Sequence, residues 1–134
     1  MTVIVTDTGF RLDDWTAGYV TVGAANDTGA LDVPSDADPD AIPICAGLRM
    51  IRVNFPSSVD GRGFTIARTL RLRGYAGRLR ARGHIIADQY TMARRAGFDE
   101  VEIDEDLAAR QPQDQWLVRA SWRTHDYQNR LRGM

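Results

Sequence analysis

The stretch IRVNFPSSVDGRGFTIARTLRLRGYAGRLRARGH, from Ile51 to His84, decides the fold. Met50 to Phe55 reads as a strand, with Ile51, Val53 and Phe55 alternating with Arg52 and Asn54, and Pro56 closes it. Ser57, Ser58 and Asp60 are helix-capping residues, Gly61 and Gly63 suit a tight turn, and Phe64, Ala67 and Leu70 then fall on one helical face. Gly74 stands where a helix-ending glycine belongs, and Arg78 to Arg82 alternates as a second strand. Together these make a β-α-β unit.

The pattern continues on both sides. Ala30 to Val33 is a short strand, and Asp38-Pro39, with Asp40 in the first turn, is expected to start a short helix bounded by Pro43 and Gly47. Ile86, Tyr90 and Ala93 give an amphipathic helix ending at Gly97, Val101 to Ile103 a strand, Asp104 to Arg110 a brief helix, and Trp116 to Ala120 a last apolar segment. Upstream, Val3 to Asp7 and Phe10 to Leu12 flank Thr8-Gly9 as a hairpin or arm, while Trp15, Tyr19 and Val20 follow without clear period. The expected class is α/β: one domain with a mostly parallel sheet and right-handed crossovers. Residues 1–29 are its N-terminal β arm and loop, 30–122 its α/β core and 123–134 a polar tail.

Strand alternation sorts the side chains. Leu31, Val33, Ile51, Val53, Phe55, Leu79, Ala81, Val101 and Ile103 share one face; Asp32, Arg52, Asn54, Arg80, Arg82 and Glu102 share the other, with Arg119 joining from the last segment. Parallel strands covered on both faces read as continuous apolar runs, and these do not. Helices are therefore expected mainly on one face, in an open or half-barrel-like sheet. The polar face is then a structural salt-bridge layer, an arginine-lined pocket or a dimer interface.

The 134 residues suffice for one core. No apolar run approaches a membrane span and no signal peptide is visible, so a cytoplasmic protein is expected. Cys45 is the sole cysteine, which leaves no intrachain disulfide or cysteine cluster; a buried thiol is expected. Lysine is absent, which excludes lysine Schiff-base chemistry and makes every fixed cation a forked guanidinium. Charge is segregated: residues 1–48 hold eight aspartates against Arg11, and Arg49 to Arg95 holds eleven arginines against Asp60 and Asp88. The basic middle binds either an external polyanion or the chain's own acidic segment, and mixed surfaces favour the second.

Ligands of parallel α/β sheets bind beyond the carboxyl ends of the strands. That rule selects Asn54 to Gly63, Arg82 to His84, Asp104 and Glu105, and Ser121 to His125. Within the first, Ser57, Ser58, Asp60, Gly61, Arg62 and Gly63 put hydroxyls and free N–H groups at a helix N-terminus, with Arg62 and Arg82 able to fork an anion. The alternative is a capped turn with nothing bound. His84 with Asp88 four residues on reads as an acid-base pair or as a helix cap. His125 beside Asp126 is expected at the surface. No three-ligand metal spacing, Walker pattern or GxGxxG is present, and nucleic-acid binding is disfavoured by the near-neutral charge.

Phe55-Pro56, Asp60-Gly61-Arg62-Gly63, Ala67-Arg68, Leu70-Arg71, Gly77, Leu79-Arg80-Ala81, Gly83, Asp88-Gln89 and Gly97-Phe98-Asp99 resemble the motifs of the bacterial domain-of-unknown-function family 934. The family carries the label of an oxidoreductase of sulfite reduction, because its genes tend to lie beside those of assimilatory sulfite and adenylylsulfate reduction. The resemblance implies an accessory protein of that pathway that binds a small oxyanion or a sulfite or adenylylsulfate reductase partner, and the polar sheet face suggests that it does so as a homodimer. The alternative is a small enzyme acting on a sulfur oxyanion or a phosphorylated metabolite. Family members often carry a cysteine before the Gly-Phe-Asp, where this chain has Ala96. With no flavin, siroheme or nicotinamide motif either, no cofactor is expected, and any redox carrier would come from a partner.

Overall fold

The computed structural model describes residues 2–21, 29–44 and 47–121. Cys45, His125 and the polar tail lie outside them, as does the Ser121 side chain. Seven strands form one sheet: β1 (Thr2–Thr6), β2 (Gly9–Arg11), β3 (Val20–Thr21), β4 (Ala30–Val33), β5 (Met50–Phe55), β6 (Arg78–Gly83) and β7 (Glu100–Asp104). Their order is β2-β1-β7-β6-β5-β4-β3, with β3 to β7 parallel and the β1–β2 hairpin antiparallel at one edge. The α/β class and the mostly parallel sheet are as the sequence indicates.

From β3 to β7 every connection steps one strand in the same direction. Right-handed crossovers then put the connections from β5 to β6 and from β6 to β7 on one face. Helix α1 (Arg62–Leu72) links β5 to β6, α2 (Tyr90–Ala96) links β6 to β7, and α3 (Glu105–Arg110) and α4 (Gln113–Val118) follow. The core forms between them: Ile51, Val53, Phe55, Leu79, Ala81, Val101 and Ile103 from the sheet meet Ile66, Ala67, Leu70, Tyr90, Ala93, Leu107 and Trp116. Helix α1 ends as expected. Gly74, at φ +96°, lets its own N–H reach the Arg71 carbonyl and the Tyr75 N–H reach that of Leu70, each at 3.0 Å.

Two expectations fail. Asp38-Pro39 starts a single turn and no helix: Asp40 N–H donates to Asp38 Oδ1 and Ala41 N–H to the Asp38 carbonyl, each at 3.0 Å, and Pro43 has no N–H with which to extend it. The segment Trp116 to Ala120 belongs to α4 and a 3₁₀ turn (Arg119–Ser121), where Trp116 packs edge-on against Tyr90. Arg119 is therefore not on the sheet. It donates to Asp88 at 2.7 Å.

Candidate functional site

The register lays the polar face out in rows. Asp32, Arg52, Arg80 and Glu100 align across β4 to β7, and Asn54, Arg82 and Glu102 form the next row toward the carboxyl ends. Arg78 precedes them on β6. Glu100 escaped the sequence reading because β7 begins one residue earlier than its apolar pattern shows; Arg78, read as the first residue of its strand, was not carried onto the polar face although alternation with Arg80 and Arg82 places it there.

Arg80 is fully buried. Its guanidinium meets Glu100 at 2.5 Å, Glu102 Oε1 at 3.0 Å and Asp13 Oδ1 at 3.0 Å. Burial opposes its charge, yet Glu100 and the other acids hold its pKa above the ordinary arginine value. Glu102 takes three arginines: Arg80, Arg82 at 3.1 Å and Arg52 at 3.5 Å. Arg52 also donates to Asp32 at 3.1 Å, and Asn54 donates to the same Asp32 oxygen at 2.7 Å. Arg78 forks Glu100 and reaches Asp14 at 2.9 Å, holding the Asp14 carboxyl below the usual carboxylate range. The salt-bridge layer is the arrangement present.

Its cover comes from the chain itself. Between β2 at one edge and β3 at the other, residues 12–19 cross the polar face as a strap. Asp13 and Asp14 meet Arg80 and Arg78, the Trp15 ring lies 5.2 Å from the Arg49 guanidinium and 5.9 Å from that of Arg78, and the Tyr19 ring stacks 3.7 Å from that of Arg52. Asp13, Asp14 and Asp32 of the acidic first third thus pair with Arg80, Arg78 and Arg52 of the basic middle, beside Glu100 and Glu102, and the face expected at a dimer interface is occupied by residues of the same chain.

The strap leaves the carboxyl ends of β5 to β7 open. A cleft of about 400 Å³ lies there, lined by Asn54, Arg82, His84, Glu102, Asp104 and Arg110, with Thr2, Phe55, Pro56, Gly83, Ile103 and Leu107 filling the walls. Three of the four strand ends selected from the sequence converge on it. Gly83, at φ +120°, permits the sharp exit from β6: a Cβ there would lie 2.4 Å from the Phe55 carbonyl oxygen, which accepts the His84 N–H at 3.0 Å. His84 is thereby set on the rim. Glu102 is engaged by its arginines, and Asp104 caps α3 through the Leu107 N–H at 2.8 Å. Arg110 donates only to the Asp106 carbonyl, at 3.4 Å, and pairs with no carboxylate among the described residues. Arg110 and Thr2 were missed because they reach the cleft from outside the β-α-β unit; Arg110, three residues beyond buried Leu107 on the same helical face, carried the available signal.

The turn Pro56 to Gly63 is arranged differently. Asp60 accepts the Arg62 N–H at 3.1 Å and both arms of its guanidinium at 2.9 and 2.8 Å, so the chain's own carboxylate takes the place foreseen for a bound anion. Arg62 side-chain and then backbone hydrogen bonds hold the Asp60 carboxyl far below the usual range, and Arg62 also reaches Ser35 at 3.1 Å. Ser57 accepts the Val59 N–H at 3.3 Å, and the Ser58 carbonyl accepts from Gln89 at 2.7 Å. Gly63 leaves room for the Phe55 ring, which would lie 2.3 Å from a Cβ there. Gly61 is the helix N-cap and makes no side-chain bond. Of the expected anion-binding set, only Arg82 reaches the cleft.

His84 and Asp88 are not brought together as a hydrogen-bonded pair. Asp88 sits in a 3₁₀ turn (Ala87–Gln89) before α2 and bonds to Arg119, and no hydrogen bond joins it to His84 among the described residues. Among the described residues no group of three or more His, Cys, Asp or Glu could hold a metal ion, and no helix is long and apolar enough to cross a membrane.

A family model described as bacterial protein of unknown function, DUF934, matches residues 30–133, from the first residue of β4 onward. No curated protein and no solved structure matches the chain.

Proposed function

The chain belongs to the bacterial family DUF934, and we propose that it is a cytoplasmic accessory protein of assimilatory sulfite reduction that holds a small oxyanion in the cleft at the carboxyl ends of β5 to β7. One observation carries the reading. Arg82, His84 and Arg110 line a single cleft whose two carboxylates are already engaged, and Arg110 has no carboxylate of its own among the described residues. Planar guanidinium forks suit the oxygens of sulfite, sulfate or a phosphosulfate. The pathway comes from the family resemblance, and the oxyanion from the cleft's chemistry. A reductase partner would act on the bound anion.

A second reading rests on His84. Its imidazole lines the same cleft as Arg82, so a proton could move to or from an oxyanion held there, making the chain a small enzyme on a sulfur oxyanion or phosphorylated metabolite.

Thermal unfolding in sulfite, sulfate, phosphate and adenosine 5′-phosphosulfate tests both. The accessory reading expects stabilisation by at least one anion, loss of it in Arg110→Gln, and retention of a reductase subunit. Turnover by the chain alone overturns it in favour of the enzyme. No stabilisation by any anion removes the cleft from both readings.

A further inference from the structure

The strap is held in an unusual way. Residues 12–18 belong to no strand, so no ladder hydrogen bonds tie them to the sheet beneath. Their own bonds are local: the Trp15 N–H donates to Asp13 Oδ1 at 2.9 Å and the Trp15 indole to the Gly18 carbonyl at 2.8 Å. Attachment to the face is by side chains, two aspartates on Arg80 and Arg78 and two rings on guanidinium planes. The seat is incompletely satisfied. The Tyr19 hydroxyl is buried without a hydrogen-bond partner among the described residues, and one flank of the strap borders a cleft of about 540 Å³ lined by Ile4, Thr6, Arg11, Leu12, Asp14, Arg78 and Glu100. Leu12 and Asp14 are exposed.

We infer that the polar sheet face is a docking surface for an acidic, aromatic peptide segment of a partner protein, and that the strap is its intramolecular occupant. Without the strap, Arg52, Arg78, Arg80 and Arg82 face Asp32, Glu100 and Glu102, a surface with an excess of guanidinium. An incoming segment needs what the strap supplies: adjacent carboxylates for Arg78 and Arg80, and rings to lie on Arg49 and Arg52. A tethered occupant competes at high effective concentration, so the partner gains access only when the strap lifts. Recognition through side chains, with no backbone ladder, is what makes exchange feasible.

The test uses the full chain and a labelled peptide of residues 11–21. In Asp13→Asn/Asp14→Asn/Trp15→Ala the strap is weakened while no strand residue is changed and Arg80 and Arg78 keep Glu100. The peptide should bind this variant at least ten-fold more tightly than it binds the unaltered chain. Adding Arg78→Gln, or making the same three changes in the peptide, should reverse the gain at least ten-fold. A folded variant that ignores the peptide overturns the proposal, and so does one that takes a single-stranded oligonucleotide in its place. In the unaltered chain, amide exchange over residues 12–18 should run at least a hundred-fold faster than over β5, with excess peptide accelerating it. Strap amides as slow as those of β5 overturn the proposal whether or not the variant folds.

Discussion

Arg80 donates to Glu102 at 3.0 Å from β6 to β7, with the arginine side chain fully buried and the glutamate 3% exposed. Two charges so placed are held by their network. Removing one partner of a buried pair leaves the other desolvated, at a cost of about 3–5 kcal/mol. Arg80→Met should therefore lower urea-unfolding stability by that order. Glu100 keeps Arg78, and Glu102 keeps Arg82 and Arg52, so the loss should fall toward the lower end of that range, and adding Glu100→Gln and Glu102→Gln should deepen it by leaving those arginines unpaired.

Acid should weaken the fold through Asp14 and Asp60. Both carboxyls titrate below their ordinary value, Asp14 first through the Arg78 hydrogen bond and Asp60 first through that of Arg62. A depressed folded-state pKa gives stability that is present above the unfolded value, about 3.9 for aspartate, and is lost as pH falls through the folded value. Denaturant titrations from pH 5 to pH 2 should show the wild type losing stability below about pH 4. Asp14→Asn and Asp60→Asn should each show a shallower fall, and an unchanged slope would count against the pairs.

Two glycines with positive φ separate conformational strain from collision. Gly74→Ala places its methyl in open space, so it should cost about 1–2 kcal/mol from the left-handed backbone alone. Gly83→Ala adds a clash with the Phe55 carbonyl and should cost about 3 kcal/mol or more. Since Gly83 lines the cleft, that variant should also lose anion-dependent stabilisation; equal losses at the two sites would refute the close approach.

Arg110→Gln is expected to leave the ligand-free protein within about 0.5 kcal/mol of wild type, because its side chain is exposed and lacks a carboxylate partner among the described residues. At an anion concentration ten times Kd the wild type should gain about 1.4 kcal/mol, and the variant little of it. Paired melts with and without anion read the difference.

The β5–α1–β6–α2–β7 run was legible because each element carries its own period and its own stop. The two faces followed from alternation alone, and the structure sorts Asp32, Arg52, Asn54, Arg80, Arg82 and Glu102 as expected. Asp38-Pro39 misled because a helix start is a local signal while continuation is not. Trp116 to Ala120 misled because a short apolar run has no decisive period. The strap was invisible as structure: Asp13 and Asp14 find Arg80 and Arg78 across 67 and 64 residues, and no periodicity encodes that. Charge segregation encoded it in bulk, as an acidic third and a basic middle, and left open whether the middle meets that third or an external polyanion. The cleft was half legible, since strand ends announce themselves but Arg110 arrives on a helix from beyond the last strand.

The strap also has a length. From Arg11 to Val20 the chain extends at most about 30 Å, while six strand spacings of ~4.8 Å put β2 about 29 Å from β3 along the sheet. The turn at Gly18, φ +75°, takes up what slack remains. The strap therefore spans the sheet nearly taut. Its residue count is matched to the width of the sheet, so a one-residue deletion there should pull Asp13 or Tyr19 off Arg80 or Arg52.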